Sequence, residues 1–351
     1  MRHVSISAFF DLASALPDHL LLGADAARRL TGLPPSSQVE NIVIFGMGTG
    51  RTSGLIVRAL GATVSPVPIL VESSYNTPAY LAGRSLVFAI SGSGETDEVN
   101  HAAAASAALG ARLVVVTIGG WLAEFAQDYG APVVLIPPNT PARASLGIVV
   151  GALLMALQGV GFMPDAGRWI KSANAQLRRR REDLGRADNI AKHLALRLAG
   201  RHVLCQGDAP LGATAAERWK VQINQNARQA ASVSEQPNAS HNEAVAWDCR
   251  NELTNECEAA VQLRHDYEDP RVSRRMDLLT EYLRGKIPVH AVRGEGDTRF
   301  AALMDLIMIG DFASLHLAAL NGVEPGDVPF IAQTVKQGLV PPARWERGAG
   351  S

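Results

Sequence analysis

Three hydroxyl side chains, Ser91, Ser93 and Thr96, lie close together where an apolar run gives way to an alanine-rich run. The apolar run 85–90 is typical of a buried strand, and the run 95–109 of a helix. Glycines let the backbone turn tightly, and the first N–H groups of a helix lack partners within it, so such a turn suits a phosphate. No Gly-Lys-Ser/Thr follows, which excludes a Walker loop. An ordinary strand-to-helix turn capped by a hydroxyl has the same residues, so both interpretations stay open.

A second glycine-rich loop, Gly46–Gly50, follows another predicted strand at 41–45. Its glycines are spaced G-x-G-x-G, whereas the dinucleotide fingerprint is G-x-G-x-x-G. Strand-end loops with hydroxyls suit a monophosphate better than a pyrophosphate held on one helix. We therefore expect no nicotinamide cofactor, and no other cofactor.

A proline-rich turn, 137–143, ends a further predicted strand and presents Arg143. An arginine on a stiff loop can stabilise a developing enolate or bind a phosphate. A surface arginine that caps a loop has the same pattern.

A polar cluster in the second half joins residues 224–228 with His241 and Glu243. A histidine among such neighbours suits acid–base chemistry near neutral pH, although a lone histidine is more often structural. Neither 241–243 nor 265–269 has a metal-ligand spacing such as H-E-x-x-H, so we expect no metal.

Composition limits the class of protein. A length of 351 residues suits two domains, and a hydrophobic content of 47% suits large cores. The formal net charge of -1 argues against nucleic-acid or membrane partners. Three cysteines without a C-x-x-C motif argue against a disulfide framework, and the amino-terminal segment lacks the features of a secretion signal. We therefore expect a soluble cytoplasmic protein.

Strand and helix patterns alternate along the first half, which predicts parallel βαβ units with ligands at the carboxyl ends of the strands. The predicted strands are 41–45, 67–71, 85–90, 112–118 and 131–136, and the predicted helices are 51–60, 95–109 and 122–129. Strand patterns resume at 202–206, 259–263 and 288–293, and Gly207 follows the first of them as Gly46 does in the other half.

We predict an amino-terminal domain over 1–160 with a leading helix, and a carboxy-terminal domain over 197–351. A helical linker over 161–196 would join them. Its four consecutive arginines, 178–181, are interpreted as a solvated helix face, although they could also contact phosphates.

Taken in order, these motifs resemble the bifunctional phosphoglucose/phosphomannose isomerases of the SIS (sugar isomerase) superfamily. Those sequences read approximately GMGGSA, SYSGNT, PPRAALG, NENAK, HNE and a final LK. The matching segments here are 46–51, 91–96, 141–147, 224–228, 241–243 and 335–336. The resemblance implies an α/β fold of two SIS subdomains, each a parallel sheet flanked by helices in a flavodoxin-like three-layer sandwich. It also implies a homodimer with shared active sites.

The resemblance further implies a role for each matching residue. Arg143 would stabilise a cis-enediolate, His241 from a partner subunit would open the sugar ring, and Glu243 would support that histidine. Lys336 would act at the ring oxygen or the phosphate. The sugar phosphate would be held by Gly48, Thr49, Gly50, Ser91, Ser93 and Thr96.

The main departure from the family pattern is Gln225, which stands where the family has the glutamate that moves a proton between C1 and C2. An amide cannot accept a proton at neutral pH, while aldose–ketose isomerisation needs a base. Gly50 also replaces a phosphate-binding serine, for which Thr49 or Thr52 could substitute, and Arg228 replaces a lysine.

Three hypotheses follow from the replacement at position 225. The protein is an isomerase with another base, for which Glu243, Glu235 and Glu217 are the candidates. Alternatively, it performs altered sugar-phosphate chemistry, or it is a non-catalytic phosphosugar-binding or regulatory protein. We favour a sugar-phosphate isomerase-like enzyme that uses ring opening and enediol-type chemistry.

Overall fold

The computed structural model describes residues 5–138, 140–247 and 256–326. The chain forms two compact units. The first contains residues 18–167, and the second contains residues 5–17 together with 168–326. Each unit is built on one parallel sheet with helices packed against it, so the expected α/β class is confirmed.

The first unit has a five-stranded parallel sheet in the order β2-β1-β3-β4-β5. Its strands are β1 (Asn41–Gly46), β2 (Ile69–Glu72), β3 (Ser85–Ser91), β4 (Arg112–Thr117) and β5 (Val133–Leu135). Helix α1 (Ile6–Ser14) precedes this unit in the chain, and its own helices are α2 (Leu16–Ala27), α3 (Thr49–Gly61), α4 (Asp97–Ala108), α5 (Gly120–Tyr129) and α6 (Leu146–Val160). Every residue of β3 is buried, as expected of a central parallel strand that is covered on both faces.

The strand order places a ligand crevice between β1 and β3. The chain leaves β1 toward β2 on one side and returns to β3 on the other, and ligands of such sheets bind where the order reverses. Gly46 is paired with Ile90 in the register of the two strands. The loops at 46–50 and 91–96 therefore start side by side.

The second unit has a four-stranded parallel sheet in the order β7-β6-β8-β9. Its strands are β6 (His202–Asp208), β7 (Ala231–Gln236), β8 (Glu258–His265) and β9 (Val289–Gly294). The helices that follow the first unit are α7 (Ala166–Leu184), α8 (Ile190–Leu198), α9 (Leu211–Asn226), α10 (Pro270–Leu283) and α11 (Arg299–Leu320).

Every strand predicted from the sequence is present, but β7 was not predicted. Two serines, a glutamate and a glutamine among its six residues hide the strand pattern. An edge position explains this composition, because among the described residues β7 pairs only with β6.

Helix α11 is the core of the second unit. It is long and apolar enough to cross a membrane, but most of it is buried within its unit, where it packs against α8 and α9. A helix that is apolar on all sides is expected at the centre of such a core. Two buried acids interrupt it, Asp305 and Asp311, and each is paired with a buried arginine.

The predicted domain boundaries differ from the two units of the structure. The leading helix α1 belongs to the second unit, where the Phe10 ring lies 5.7 Å from that of Phe312 and 4.8 Å from that of His316. Most of the predicted linker, α7 and α8, also belongs to the second unit. The physical reason is that the apolar faces of these helices are buried in that core.

One of the four consecutive arginines also corrects the expectation of a solvated helix face. Arg180 is buried, and its guanidinium binds both carboxylate oxygens of Asp305 at 2.9 and 2.8 Å. Arg178 and Arg179 are exposed as expected. The ion pair with Asp305, which is far away in the sequence, therefore holds Arg180 in the core.

Candidate active site

The loop at 91–96 is closed by the hydroxyl of its first serine. Ser91 is 2% exposed, and its Oγ accepts the N–H groups of Gly94 at 3.0 Å and Thr96 at 3.3 Å. Ser91 Oγ also shares a hydrogen bond with Thr96 Oγ1, at 2.7 Å. Ser93 is exposed and Thr96 is half-buried. Ser91 therefore shapes the loop, whereas the Ser93 side chain is exposed and its Oγ accepts only the N–H of Glu95, at 3.1 Å, among the described residues.

Gly94 fixes this loop against the next strand-end loop. Its φ is +75°, and a Cβ at this position would lie 1.8 Å from the carbonyl oxygen of Gly119. Its carbonyl accepts hydrogen bonds from Leu122 N at 3.1 Å and from Asn100 Nδ2 at 3.2 Å. A residue with a Cβ at this position would have to displace the Gly119 backbone, so glycine is required.

We predict that Gly94→Ala lowers the free energy of unfolding by more than about 2 kcal/mol, since a left-handed backbone and a backbone clash are combined. Gly130→Ala is the matched control, because Gly130 has φ +77° but a Cβ added there would meet nothing within 4 Å. That control should cost about 1–2 kcal/mol from backbone strain alone. Urea denaturation of both variants measures the difference, and equal losses would contradict the clash.

The loop at 46–50 brings β1, the start of α3 and the end of β3 close together. A Cβ on Gly46 would lie 2.7 Å from the Gly50 carbonyl carbon, and one on Gly50 would lie 3.1 Å from Ile90 O. Thr52 is 1% exposed and donates its hydroxyl to Gly48 O at 3.1 Å. Thr49 and Thr52 are the candidate substitutes for a serine at position 50. Thr52 is thus buried with its hydroxyl engaged, whereas Thr49 is half-buried.

The turn that carries Arg143 packs directly on the hydroxyl loop. The 3-10 helix Ala142–Ala144 brings Ala142 so near that a Cβ on Gly92 would lie 2.8 Å from the Ala142 Cβ. Ser145 Oγ donates to Ala142 O at 2.7 Å and holds the turn at the start of α6. The structure therefore places the predicted arginine next to the predicted phosphate loop, over fifty positions away in sequence. Asn139 in the same turn lies outside the described residues.

The start of α4 carries negative charge beside this loop. Asp97 and Glu98 occupy its first turn, and the Tyr75 hydroxyl donates to Asp97 Oδ2 at 2.9 Å. Burial and this hydrogen bond raise the pKa of Tyr75 to about 12, so the phenol stays protonated at neutral pH. A phosphate here would depend on the hydroxyl donors of the loop. The N–H groups of Gly94, Glu95 and Thr96 already donate to Ser91 and Ser93 within the loop, and the helix dipole is partly offset by its own carboxylates.

In the second unit, His241 ends a short turn that is anchored on both sides. The 3-10 helix Asn238–His241 follows β7, and Ser240 Oγ donates to Oε1 of the buried Gln236 at 2.5 Å. Trp247, 5% exposed, packs into the apolar cluster beneath α10 a few residues later. The exposed His241 has its Nε2 atom 3.1 Å from Arg275 Nη1. Sequence reasoning missed Arg275, which follows two other arginines in α10 and has no distinguishing pattern.

The amide at 225 lies in the last turn of α9 and is half-buried. Glu217 is on the same helix but eight residues earlier, which is about 12 Å along the axis. Its carboxylate lies 3.7 Å from Lys220 Nζ. Glu235 and Glu243 are exposed on the segments that follow α9. Helix geometry thus separates Glu217 from the position that Gln225 occupies, and Lys336 lies outside the described residues.

An acid–histidine pair fills the crevice of the second sheet, and sequence reasoning missed it. Asp208 is 4% exposed at the end of β6, and its Oδ1 accepts Gly212 N at the start of α9 at 3.1 Å. His265 Nε2, at the end of the adjacent β8, lies 2.8 Å from the same oxygen. This carboxylate occupies the helix start where an anion would bind. Of the two sheet crevices, the one in the first unit therefore suits a phosphate.

A cleft of about 620 Å³ in the second unit lies between α8 and β9. Burial, with a contribution from Arg197 and Arg201, lowers the pKa of His290 in this cleft. The Asp188 carboxylate at its rim forms a hydrogen bond with His193. The lining contains no predicted site residue: Asp188, Asn189, Ile190, His193, Leu194, Arg197, Val289, His290 and Ala291. We do not place the sugar phosphate there.

No metal centre is formed by residues 5–138, 140–247 and 256–326, where no three His, Cys, Asp or Glu side chains lie together suitably for an ion.

Comparison with known proteins gives the family. Residues 187–337 match the model of the bacterial phospho-glucose isomerase C-terminal SIS domain. The bifunctional phosphoglucose/phosphomannose isomerase of Aquifex aeolicus (strain VF5) is 30% identical over 304 residues, covering 86% of this chain and 90% of that protein. The chain belongs to the bifunctional phosphoglucose/phosphomannose isomerase family.

A further family member, from Caldicellulosiruptor bescii, is 29% identical over 328 residues, covering 92% of this chain and 96% of that protein. Among solved structures, a glucose-6-phosphate isomerase like protein from Thermus thermophilus superposes with a TM-score of 0.58 at 20% identity, covering 96% of this chain and 99% of that one. The predicted SIS fold and the predicted family are both confirmed.

Proposed function

We propose that this family member binds a phosphorylated aldose or ketose in the crevice of its first unit and acts on it by ring opening and enediol-type chemistry. The observation that carries this proposal is the packing of the Arg143 turn on Gly92, beside the hydroxyl loop. A cation next to an anion-binding loop suits both the phosphate and an enediolate. Sugar phosphates are also the substrates named for the relatives.

The phosphate would be held by side chains and backbone of two loops. Ser93, Thr96 and Thr49 would donate hydroxyls, and Gly48 and Thr49 would add backbone N–H groups, since Gly50 N already donates to Met47 O at 2.9 Å. Ser91 would act by closing its loop, because its hydroxyl is already engaged with Gly94 and Thr96. Arg143 would stabilise negative charge that develops on the substrate oxygens.

Ring opening would fall to His241, with Glu243 as its support and Lys336 at the ring oxygen or the phosphate. We propose a homodimer with shared sites, in which this histidine comes from the partner subunit. Free Cys205 and Cys257 are compatible with a reducing cytoplasm, where we place the protein.

Proton transfer between C1 and C2 would be impaired in this protein, because Gln225 cannot act as a base. Glu243, near the proposed ring-opening histidine, is the first carboxylate to consider as a replacement. Glu217 is disfavoured by its distance of about 12 Å along α9.

The second candidate function is non-catalytic phosphosugar binding, for sensing or for regulation of a partner. The observation that favours it is the amide at position 225 together with the hydroxyl loop at 91–96, which its own hydrogen bonds hold closed. An isomerase assay and a binding measurement distinguish the two functions, because the second candidate binds without turnover.

We predict that Ser93→Ala weakens the binding of glucose 6-phosphate by about 1–3 kcal/mol, the usual effect of losing a hydrogen bond to a charged group. Titration calorimetry measures the affinity. Ser37→Ala, an exposed serine of the same unit outside both loops, is the control and should leave it unchanged. An affinity that is the same in Ser93→Ala as in the wild type would contradict the phosphate site.

A further inference from the structure

The contact between Arg275 and His241 determines which of the two side chains donates the hydrogen bond. The Arg275 Nη1 atom lies 3.1 Å from His241 Nε2. A guanidinium has donors but no acceptor and stays protonated in proteins, so the ring nitrogen must accept this hydrogen bond. In the neutral imidazole one nitrogen accepts and the other carries the hydrogen. The contact therefore places the proton of His241 on Nδ1.

Both partners of the contact lie on elements that are held in place. Helix α10 packs on the second sheet through the buried residues Met276, Leu279 and Leu283, and its start is capped by Asp269, which accepts Arg271 N at 2.9 Å. The turn of His241 is fixed by the hydrogen bond between Ser240 and the buried Gln236. A hydrogen bond between two fixed elements sets the orientation of the ring as well as its tautomer.

We propose that Arg275 is a positioning residue that holds His241 with Nε2 as acceptor and Nδ1–H facing the sugar. This inference rests on the proposed function, in which His241 opens the sugar ring. In that step the bond between C1 and the ring oxygen breaks, and the ring oxygen takes the proton of Nδ1. The C1 hydroxyl becomes the carbonyl and returns its proton to Nδ1, so the imidazole ends neutral, as it began. Arg275 occupies Nε2 of His241, so Nδ1 serves in both proton transfers.

The tautomer can be read directly by NMR of the ¹⁵N-labelled protein, in which His241→Gln identifies the signals of His241 among the nine histidines. We expect an unprotonated Nε2 in the wild type and in Arg275→Lys, which retains a donor. Arg275→Ala should release the ring to a mixture of tautomers. Arg274→Ala removes the neighbouring exposed arginine and should leave the signals unchanged. A proton on Nε2 of the wild type, or identical spectra of wild type and Arg275→Ala, would overturn the proposal.

Ring opening can be measured without isomerisation, as the exchange between the α and β anomers of glucose 6-phosphate. This readout does not need a base at position 225. We expect Arg275→Ala to slow the catalysed exchange about tenfold, by analogy with the loss of a group that orients a functional histidine, with recovery in Arg275→Lys. An unchanged rate would overturn the positioning role.

Failure of the proposed function gives a different pattern. In that case neither the wild type nor any variant accelerates anomer exchange, while the tautomer still changes in Arg275→Ala. The two measurements therefore separate a wrong assignment of the reaction from a wrong assignment of Arg275.

Discussion

Gln225→Glu is expected to raise the interconversion of glucose 6-phosphate and fructose 6-phosphate by about 10²–10⁴-fold, the usual contribution of a positioned general base. Glutamate and glutamine have nearly the same shape, so the half-buried place in the last turn of α9 accepts either. The substitution restores the general base that the family pattern has at this position and that Gln225 cannot supply. The expected gain depends on the remaining site being intact.

The measurement is a coupled assay with glucose 6-phosphate and mannose 6-phosphate, run on wild type and variant together. Gln127→Glu is the control, because it adds the same charge at an exposed position in the last turn of α5. No gain in Gln225→Glu would mean that the pocket has diverged beyond its base. Rapid turnover by the wild type would mean that another carboxylate serves, and Glu243→Gln would then be expected to abolish it.

Asp311→Asn is expected to lower the free energy of unfolding by about 3–5 kcal/mol, because it removes the negative charge from a buried ion pair and keeps the buried guanidinium. Arg218 is 1% exposed, and its Nε and Nη2 atoms bind the two oxygens of Asp311 at 2.9 Å each. The same interface between α9 and α11 contains a hydrogen bond from Trp219 Nε1 to Leu306 O at 2.8 Å. Losing the ion pair would therefore also weaken the packing of α9, the helix that carries Gln225, on α11.

Chemical denaturation measures this change, with Asp25→Asn as the matched control. Asp25 contacts Arg28 on the surface, where an ion pair contributes at most about 1 kcal/mol. Replacing both buried partners, Arg218→Met with Asp311→Leu, should recover much of the stability, since the cost arises from one unpaired charge. A loss in Asp311→Asn as small as that of the control would contradict the buried pair.

Local patterns in the sequence were sufficient for the order of strands and helices and for the loops at their carboxyl ends. The run 85–90 predicted β3 because a central parallel strand is apolar at every position. The glycines of 46–50 and 91–96 marked strand-end loops because they permit backbone turns that other residues resist. Motif order over nearly the whole chain then identified the family, which the relatives confirm.

The roles of individual polar residues were decided by contacts between distant segments. Nothing near Ser91 in the sequence distinguishes it from Ser93, yet one hydroxyl is consumed in closing the loop and the other is exposed. Arg180 reads as part of a charged surface run, yet it is paired with Asp305 in the core. The strand β7 was missed because it lies at the edge of its sheet, where polar residues are tolerated and the apolar pattern of a strand is lost.

Sequence by itself determined the fold class, the family and the loops that end the strands, because backbone conformation and burial leave periodic and local signals. The tertiary structure decided which distant residues meet: the turn of Arg143 with the hydroxyl loop, Asp208 with His265, and Arg275 with His241. Those pairs join residues dozens of positions apart. Hydrogen bonds and ion pairs of this kind depend on distances of a few ångströms, which only the packed chain establishes.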